Sequence, residues 1–220
     1  EISLIERRYD SNSLSRKTLT WGEFDHRANQ VANLLLSNNI KQGDKVALLM
    51  MNCLEWLPIY FGILKMGALA VPLNFRCTSD ELQYCLNLAE CSALIFTSDF
   101  TECVASIRYQ VPTVSRFISV GGNPPDFAES YDTKINTFAD VSPNTILTDN
   151  DLAAIYFTMG TAAGATGLPK AVLHTHRALM AAGEAEQNHH MQAHDDIFLC
   201  IPPLYHTGAK FHWMGSLVAG

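Results

Sequence analysis

Apolar side chains occur along this chain in two patterns, a repeat at intervals of three and four and short continuous runs, and the changes between them predict where helices and strands lie. Between Trp21 and Leu35 the apolar positions repeat at intervals of three and four, as on a helix with one face on a core. Thr20-x-x-Glu23 just before is typical of a capping box, in which each side chain satisfies a free amide. We therefore predict a helix that begins after Thr20 and ends before Gly43.

Capping patterns of the same type occur twice more. Asn52-x-x-Glu55 precedes an almost wholly apolar stretch and predicts a buried helix that runs to about Met66. Thr78-x-x-Glu81 predicts the start of another helix. The short apolar runs between and after these helices indicate buried strands at residues 46–51, 69–71, 93–96, 153–158 and 171–174.

The alternation of strands and helices predicts the α/β fold class, with mainly parallel sheets flanked by helices. Residues 121–150 are richer in Gly, Pro, Asn, Asp and Thr, and they show little periodicity. We interpret this segment as a surface connection and a possible seam between sub-domains.

Composition and charge narrow the class of protein. With 48% apolar residues the chain can bury a sizeable core, and its net charge of −7 argues against general binding to nucleic acid. The six cysteines are scattered and form no C-x-x-C pair, which favours reduced thiols and a cytoplasmic protein. The most apolar stretch, 56–71, contains Pro58 and Lys65, so we expect no transmembrane segment. The chain begins at Glu1 and stops inside an apolar run, so we expect it to be truncated at both ends.

A loop of small, hydroxylated and basic residues lies between the last two predicted strands, at residues 159–170. Glycines let backbone amides approach a polyphosphate, threonines add donors and a lysine adds positive charge, so a nucleotide-phosphate site is one interpretation. An ordinary flexible turn is the other. No Gly-Lys-Ser/Thr triplet and no G-x-G-x-x-G element is present, so neither a P-loop nor a dinucleotide fingerprint is indicated.

Four segments, in order, resemble motifs of the adenylate-forming superfamily, which includes acyl-CoA synthetases, aryl-CoA ligases, luciferases and peptide-synthetase adenylation domains. They are residues 19–24, 64–74, 157–172 and 202–208. The resemblance covers essentially the whole chain and implies that residues 1–220 are the N-terminal part of the AMP-binding domain, an incomplete large domain. The family's later motifs and mobile C-terminal domain are expected beyond position 220, so we expect this piece alone to be inactive.

The resemblance also implies a reaction and a set of site residues. A carboxylic acid, fatty or aryl, is activated with ATP and Mg²⁺ to an acyl-adenylate and transferred to coenzyme A. Lys170 is the expected catalytic residue. The expected nucleotide-binding residues are Thr158, Gly160, Thr161, Thr166, Gly167 and Lys170. The expected substrate-binding residues are Tyr205, His206, Thr207 and Gly208.

Several alternatives stay open. His206 could instead be a loop histidine bound to backbone, and Phe211 and Trp213 could line an acyl pocket or belong to the core. The loop is four residues longer than the family pattern, and Met159 stands where serine is usual. A carrier-protein-loading adenylation domain and a non-catalytic binding module with a degenerate loop are therefore the competing functions. The acid and the oligomeric state are left open.

Histidines are concentrated late in the chain. Seven of the eight lie between His174 and His212, which raises the possibility of a zinc site. The spacing lacks the helical i, i+4 histidine pair with a third ligand that a metalloprotease would show, and no cysteine pair helps. We therefore predict no metal site from the sequence.

Overall fold

The computed structural model describes residues 1–10, 13–158 and 168–220 and has the α/β architecture that the alternating pattern predicts. Its strands are β1 (Ile2–Asp10), β2 (Ser13–Thr20), β3 (Lys45–Leu49), β4 (Leu69–Pro72), β5 (Ala93–Thr97), β6 (Arg116–Val120), β7 (Glu129–Ser130), β8 (Leu152–Thr158) and β9 (Lys170–Thr175). Its helices are α1 (Trp21–Ser37), α2 (Trp56–Lys65), α3 (Ser79–Leu88), α4 (Thr101–Ile107), α5 (Tyr131–Lys134), α6 (His176–His190) and α7 (Thr207–Ala219).

Seven of these strands form one sheet in the order β7-β6-β5-β3-β4-β8-β9. Every neighbouring pair is parallel except β8 and β9, which are antiparallel. The mainly parallel sheet predicted from the sequence is therefore confirmed. Strands β1 and β2 form a separate antiparallel hairpin, which our sequence patterns did not indicate.

The sheet is buried on both faces. Along β3, Val46 and Leu48 pack into one apolar cluster, while Ala47 and Leu49 pack into the other. The first cluster includes side chains of α1, α2, α6 and α7, and the second includes those of α3 and α4. Because successive strand residues point to opposite faces, this double coverage explains why the strands are continuous apolar runs.

Two of the three predicted helix caps are confirmed. Glu23 N–H donates to Thr20 Oγ1 at 3.2 Å while Thr20 N–H donates to the Glu23 carboxylate at 2.8 Å, and Thr78 and Glu81 repeat the arrangement. The cap at Asn52 is wrong: α2 begins at Trp56, after Glu55, with no side-chain cap. Asn52 bonds instead to a distant loop, described below.

The segment predicted to be a surface connection follows the outside of α1. Amide side chains of that helix hold its later part: Asn29 Nδ2 donates to the Asp140 carbonyl at 2.9 Å, and Asn33 Nδ2 donates to the carbonyls of Ala139 and Val141. Earlier in the segment lie β7 and α5, which the weak periodicity did not indicate. The sub-domain seam stays a prediction. Among the described residues, no helix combines the length and the hydrophobicity needed to cross a membrane.

Helices α1 and α2 cross closely at Gly62, and this contact gives a first test. A Cβ atom there would lie 2.5 Å from Val31 Cβ and 2.7 Å from the Ala28 carbonyl oxygen. We expect Gly62→Ala to lower the free energy of unfolding by about 1–3 kcal/mol, because a backbone atom must move. Gly22→Ala is the matched control, since a Cβ atom added at Gly22 would have no other atom within 4 Å. Urea unfolding measures both, and equal stability of the two variants would contradict the close crossing.

Candidate functional site

The two ends of the glycine- and threonine-rich loop lie side by side. Thr158 is the last residue of β8 and Lys170 the first of β9, and the two are paired in the antiparallel register. Thr158 Oγ1 donates a hydrogen bond to the Lys170 carbonyl at 3.5 Å. Pro169 is buried and Lys170 is exposed, so the lysine follows an anchored residue at the mouth of the loop. The other loop residues expected to bind nucleotide, Gly160, Thr161, Thr166 and Gly167, lie outside the described residues.

The second group of expected site residues forms the turn into α7. His206 is the N-cap of that helix, and its Nδ1 accepts a hydrogen bond from the Gly208 N–H at 3.1 Å. Because Nδ1 is the acceptor, the proton of the neutral imidazole is on Nε2. The histidine ring is exposed, so Nε2–H can donate to a ligand while Nδ1 fixes the ring. Tyr205 packs edge-on against Phe75, and Thr207 is the first residue of α7.

Asn52 holds this turn in place. Its Nδ2 donates to the Pro202 carbonyl at 3.0 Å, and its Oδ1 accepts from the Leu204 N–H at 2.8 Å. Asn52 follows β3, so these two bonds connect the end of a central strand to the turn that carries Tyr205 and His206. Sequence reasoning missed this role, because the partners are 150 and 152 residues away.

The first turn of α7 carries a buried lysine. Lys210 has no exposed surface, and its Nζ makes no hydrogen bond to any residue that the structure describes. Nζ lies 4.1 Å from the ring centre of Tyr156 and 4.9 Å from that of Phe211. Burial disfavours the charged form and lowers the pKa of Lys210 from its ordinary value of 10.5 to about 8.

Tyr156 links this lysine to the loop. It lies two residues before Thr158 on β8, and its hydroxyl donates to the Tyr60 hydroxyl at 3.2 Å in the core. His174, on β9, contacts the Tyr156 ring edge-on, and burial together with the Lys210 charge lowers the pKa of this histidine. Strand β8 therefore connects the start of α7 with the mouth of the loop, two segments that the sequence singled out separately.

Of the aromatic residues weighed for an acyl pocket, Trp213 belongs to the core. It is 3% exposed and packs edge-on against Trp56, Tyr60 and Phe61. Two cavities, of about 210 and 410 Å³, lie elsewhere, beside Tyr131 and beside Arg108 respectively. Neither is lined by an expected site residue.

Comparison with curated proteins gives partial but extensive matches. The chain is 31% identical to the crotonobetaine/carnitine–CoA ligase of Escherichia coli K12 over 196 residues, which are 86% of this chain and 36% of that enzyme. The ligase of the same name from Salmonella typhimurium is 30% identical over 198 residues, 88% of this chain and 38% of the enzyme. The chain therefore spans less than two fifths of the length of these relatives.

Solved structures share the fold. The anthranilate CoA ligase AuaEII in complex with anthranoyl-AMP matches with a TM-score of 0.84 and 25% identity, over 91% of this chain and 39% of that one. The N-terminal domain of FACL13 from Mycobacterium tuberculosis matches with a TM-score of 0.80 and 26% identity, over 93% and 49% of the two chains. A family model described as AMP-binding enzyme matches residues 5–220. The chain therefore belongs to the family of AMP-binding enzymes.

Proposed function

We propose that the full-length protein activates a carboxylic acid with ATP to an acyl-adenylate and transfers the acyl group to coenzyme A. The observation that carries this proposal is the pairing of Thr158 with Lys170 at the mouth of the loop, in a chain that matches the family over residues 5–220. The curated relatives above are named CoA ligases, and one structural neighbour is described in complex with an acyl-adenylate. These findings support the reaction class for this chain.

In the first half-reaction an oxygen of the acid attacks the α-phosphorus of ATP, and pyrophosphate leaves. Negative charge builds up on the leaving phosphates, so catalysis depends on positioning and on charge neutralisation. Lys170 supplies a cation for this purpose, and the Thr158 hydroxyl can turn from the Lys170 carbonyl to donate to a phosphate oxygen. We also assign the loop residues Gly160, Thr161, Thr166 and Gly167 to the nucleotide. Mg²⁺ would be held through the phosphates of the substrate, as is usual for this ion, and would neutralise part of their charge. We assign no residue of this chain to the metal.

The acid is assigned to the turn before α7. His206 Nε2–H can donate to a carboxylate or to the carbonyl oxygen of the adenylate, while the bond from Gly208 to Nδ1 fixes the ring. Tyr205 and Thr207 flank it. In the second half-reaction the thiolate of coenzyme A attacks the acyl carbon, and AMP leaves. The proposed acid is fatty or aryl.

The acceptor is tested by offering two thiols to the same enzyme. The full-length protein is incubated with ATP, Mg²⁺ and a panel of fatty and aryl acids, and thioester formation is measured with coenzyme A and with a phosphopantetheine-loaded carrier protein. We expect acyl-CoA to form with at least one acid. Thioester on the carrier alone would identify a carrier-loading adenylation domain. Failure to bind ATP in calorimetry would identify a non-catalytic module and overturn the proposal.

A further inference from the structure

Three side chains of α6 and α7 place atoms that could bind a metal ion close to one another. Glu186 and His190 lie one turn apart near the end of α6, and His212 lies in the middle of α7. The carboxylate oxygen and the two imidazole nitrogens all lie within 4.8 Å of one another. None of the three belongs to the site described above.

The Glu186 carboxylate lies at the centre of this cluster and faces both histidine rings. Glu186 Oε1 is buried and accepts no hydrogen bond from any residue in the described part of the chain. His190 Nε2 lies 3.1 Å from this oxygen, and His212 Nδ1 also contacts it. Unless one of these nitrogens carries a proton and donates it to the oxygen, the buried carboxylate oxygen is left without a donor, which is costly. A cation shared with the two ring nitrogens removes that cost.

The helix packing that creates the cluster is tightly specified. Gly183 of α6 lies against Met214, and Gly215 of α7 lies against Glu186 Cγ, where an added Cβ would be 3.2 Å from that atom. Beyond α6 the chain turns back, and Gln192 Nε2 donates to the His212 carbonyl at 3.3 Å and to Ser216 Oγ at 3.1 Å. The backbone that carries His212 is therefore held against α6 by contacts separate from the three ligands.

We propose that Glu186, His190 and His212 bind a late first-row divalent cation, with Zn²⁺ as the best match. Two imidazoles and one carboxylate suit such ions, whereas Mg²⁺ and Ca²⁺ prefer oxygen ligands. Two donors on one zinc ion lie at most about 4.2 Å apart, so small side-chain rotations complete the site. Three protein ligands leave a fourth position for water, and the His190 side chain is 51% exposed, so solvent reaches the ion.

The bound ion ties the last turn of α6 to the middle of α7. It therefore limits relative movement of the two helices, one of which begins just after its N-cap His206. The ligand set is separate from the residues assigned to ATP and the acid, so this proposal does not rest on the proposed function. An ion pair between Glu186 and protonated histidines is the competing explanation, and it requires no metal.

The test is a titration of the chelator-treated, tag-free protein with Zn²⁺ by calorimetry, in excess Mg²⁺, with Co²⁺ absorption as a second readout. We expect one saturable Zn²⁺ site and the visible bands of four-coordinate Co²⁺. Glu186→Gln, His190→Ala and His212→Ala are each expected to weaken Zn²⁺ binding by about tenfold to a hundredfold or more, since even loss of an outer-shell partner costs that much.

His189→Ala is the matched control, because His189 is an exposed histidine on the same helix and is outside the ligand set. It is expected to bind Zn²⁺ like the unaltered protein. Thermal unfolding in the presence of chelator checks that each variant folds. If His212→Ala does not fold, the test depends on His190→Ala, because His190 is exposed. Absence of a saturable site, or unchanged affinity in His190→Ala, would overturn the proposal.

Discussion

Replacing Lys170 by alanine is expected to lower acid-dependent pyrophosphate release by about 10²–10³-fold, as when one preorganised donor to a developing charge is removed. Lys170 is exposed at the start of β9, where its backbone and not its side chain pairs with Thr158. We therefore expect the free energy of unfolding to change by less than about 0.5 kcal/mol. Steady-state release of pyrophosphate from the full-length protein measures the first effect, and urea unfolding measures the second.

Lys41→Ala is the control for Lys170→Ala. Lys41 is also exposed, but it lies in the turn between α1 and β3. We expect the Lys41 variant to retain unaltered activity. Equal pyrophosphate release by both variants would refute the assignment of Lys170 to the leaving phosphates.

Replacing Lys210 by methionine is expected to stabilise the fold at neutral pH. The pKa of Lys210 falls from 10.5 to about 8 on burial, and each unit corresponds to about 1.4 kcal/mol, so the charged form costs about 3 kcal/mol. The contact with the Tyr156 ring returns about 0.5–2 kcal/mol of this cost. Methionine fills a similar volume without a charge, so we expect a gain of about 1–3 kcal/mol in the free energy of unfolding.

The difference in the free energy of unfolding between Lys210→Met and the parent should depend on pH in a defined direction. Between about pH 8 and 10.5 the unfolded chain binds more protons at Lys210 than the folded chain does, so the stability contribution of this group rises with pH. Below about pH 8 the full penalty is present, and above 10.5 it is gone. The advantage of Lys210→Met should therefore shrink across this window. Tyr60 and Tyr156 are present in both proteins, so their contribution to the pH dependence of stability cancels when variant and parent are compared at each pH.

Lys134→Met is the control for the buried lysine, since the Lys134 side chain is 49% exposed and pairs with Glu129. It is expected to give no stabilisation at any pH. If Lys210→Met is less stable than the parent at neutral pH, the lysine has a partner that outweighs its burial. Urea unfolding at several pH values distinguishes the two results.

The structural features that the sequence predicted correctly are those that depend on residues close together in the chain. The capping boxes at Thr20 and Thr78 close within three residues, and the strands are the continuous apolar runs expected of a sheet buried on both faces. Asn52 showed the limit of this reasoning, because its pattern matches a cap while its actual partners, Pro202 and Leu204, come from the far end of the chain. Among the residues of β1 and β2 whose burial the structure describes, buried and exposed side chains do not alternate, so no such pattern reveals the hairpin.

The site was only partly predictable for the same reason. Motif order led to Lys170 and His206, and the register of β8 and β9 adds the pairing of Lys170 with Thr158. Lys210 gave no signal, since one lysine in a helix is usually solvated and only packing shows it to be buried. The proposed metal ligands do not have the histidine-pair spacing of a metalloprotease, since their i, i+4 pair is a glutamate with a histidine.

The central claim is that the acid's own oxygen attacks the α-phosphorus of ATP. It is tested most directly by giving the full-length protein an accepted acid whose carboxylate carries heavy oxygen, with ATP, Mg²⁺ and coenzyme A, and analysing the products by mass spectrometry. The acyl-adenylate account predicts one heavy oxygen in AMP and none in pyrophosphate. Heavy oxygen in orthophosphate, or thioester formation without any label in AMP, would contradict it.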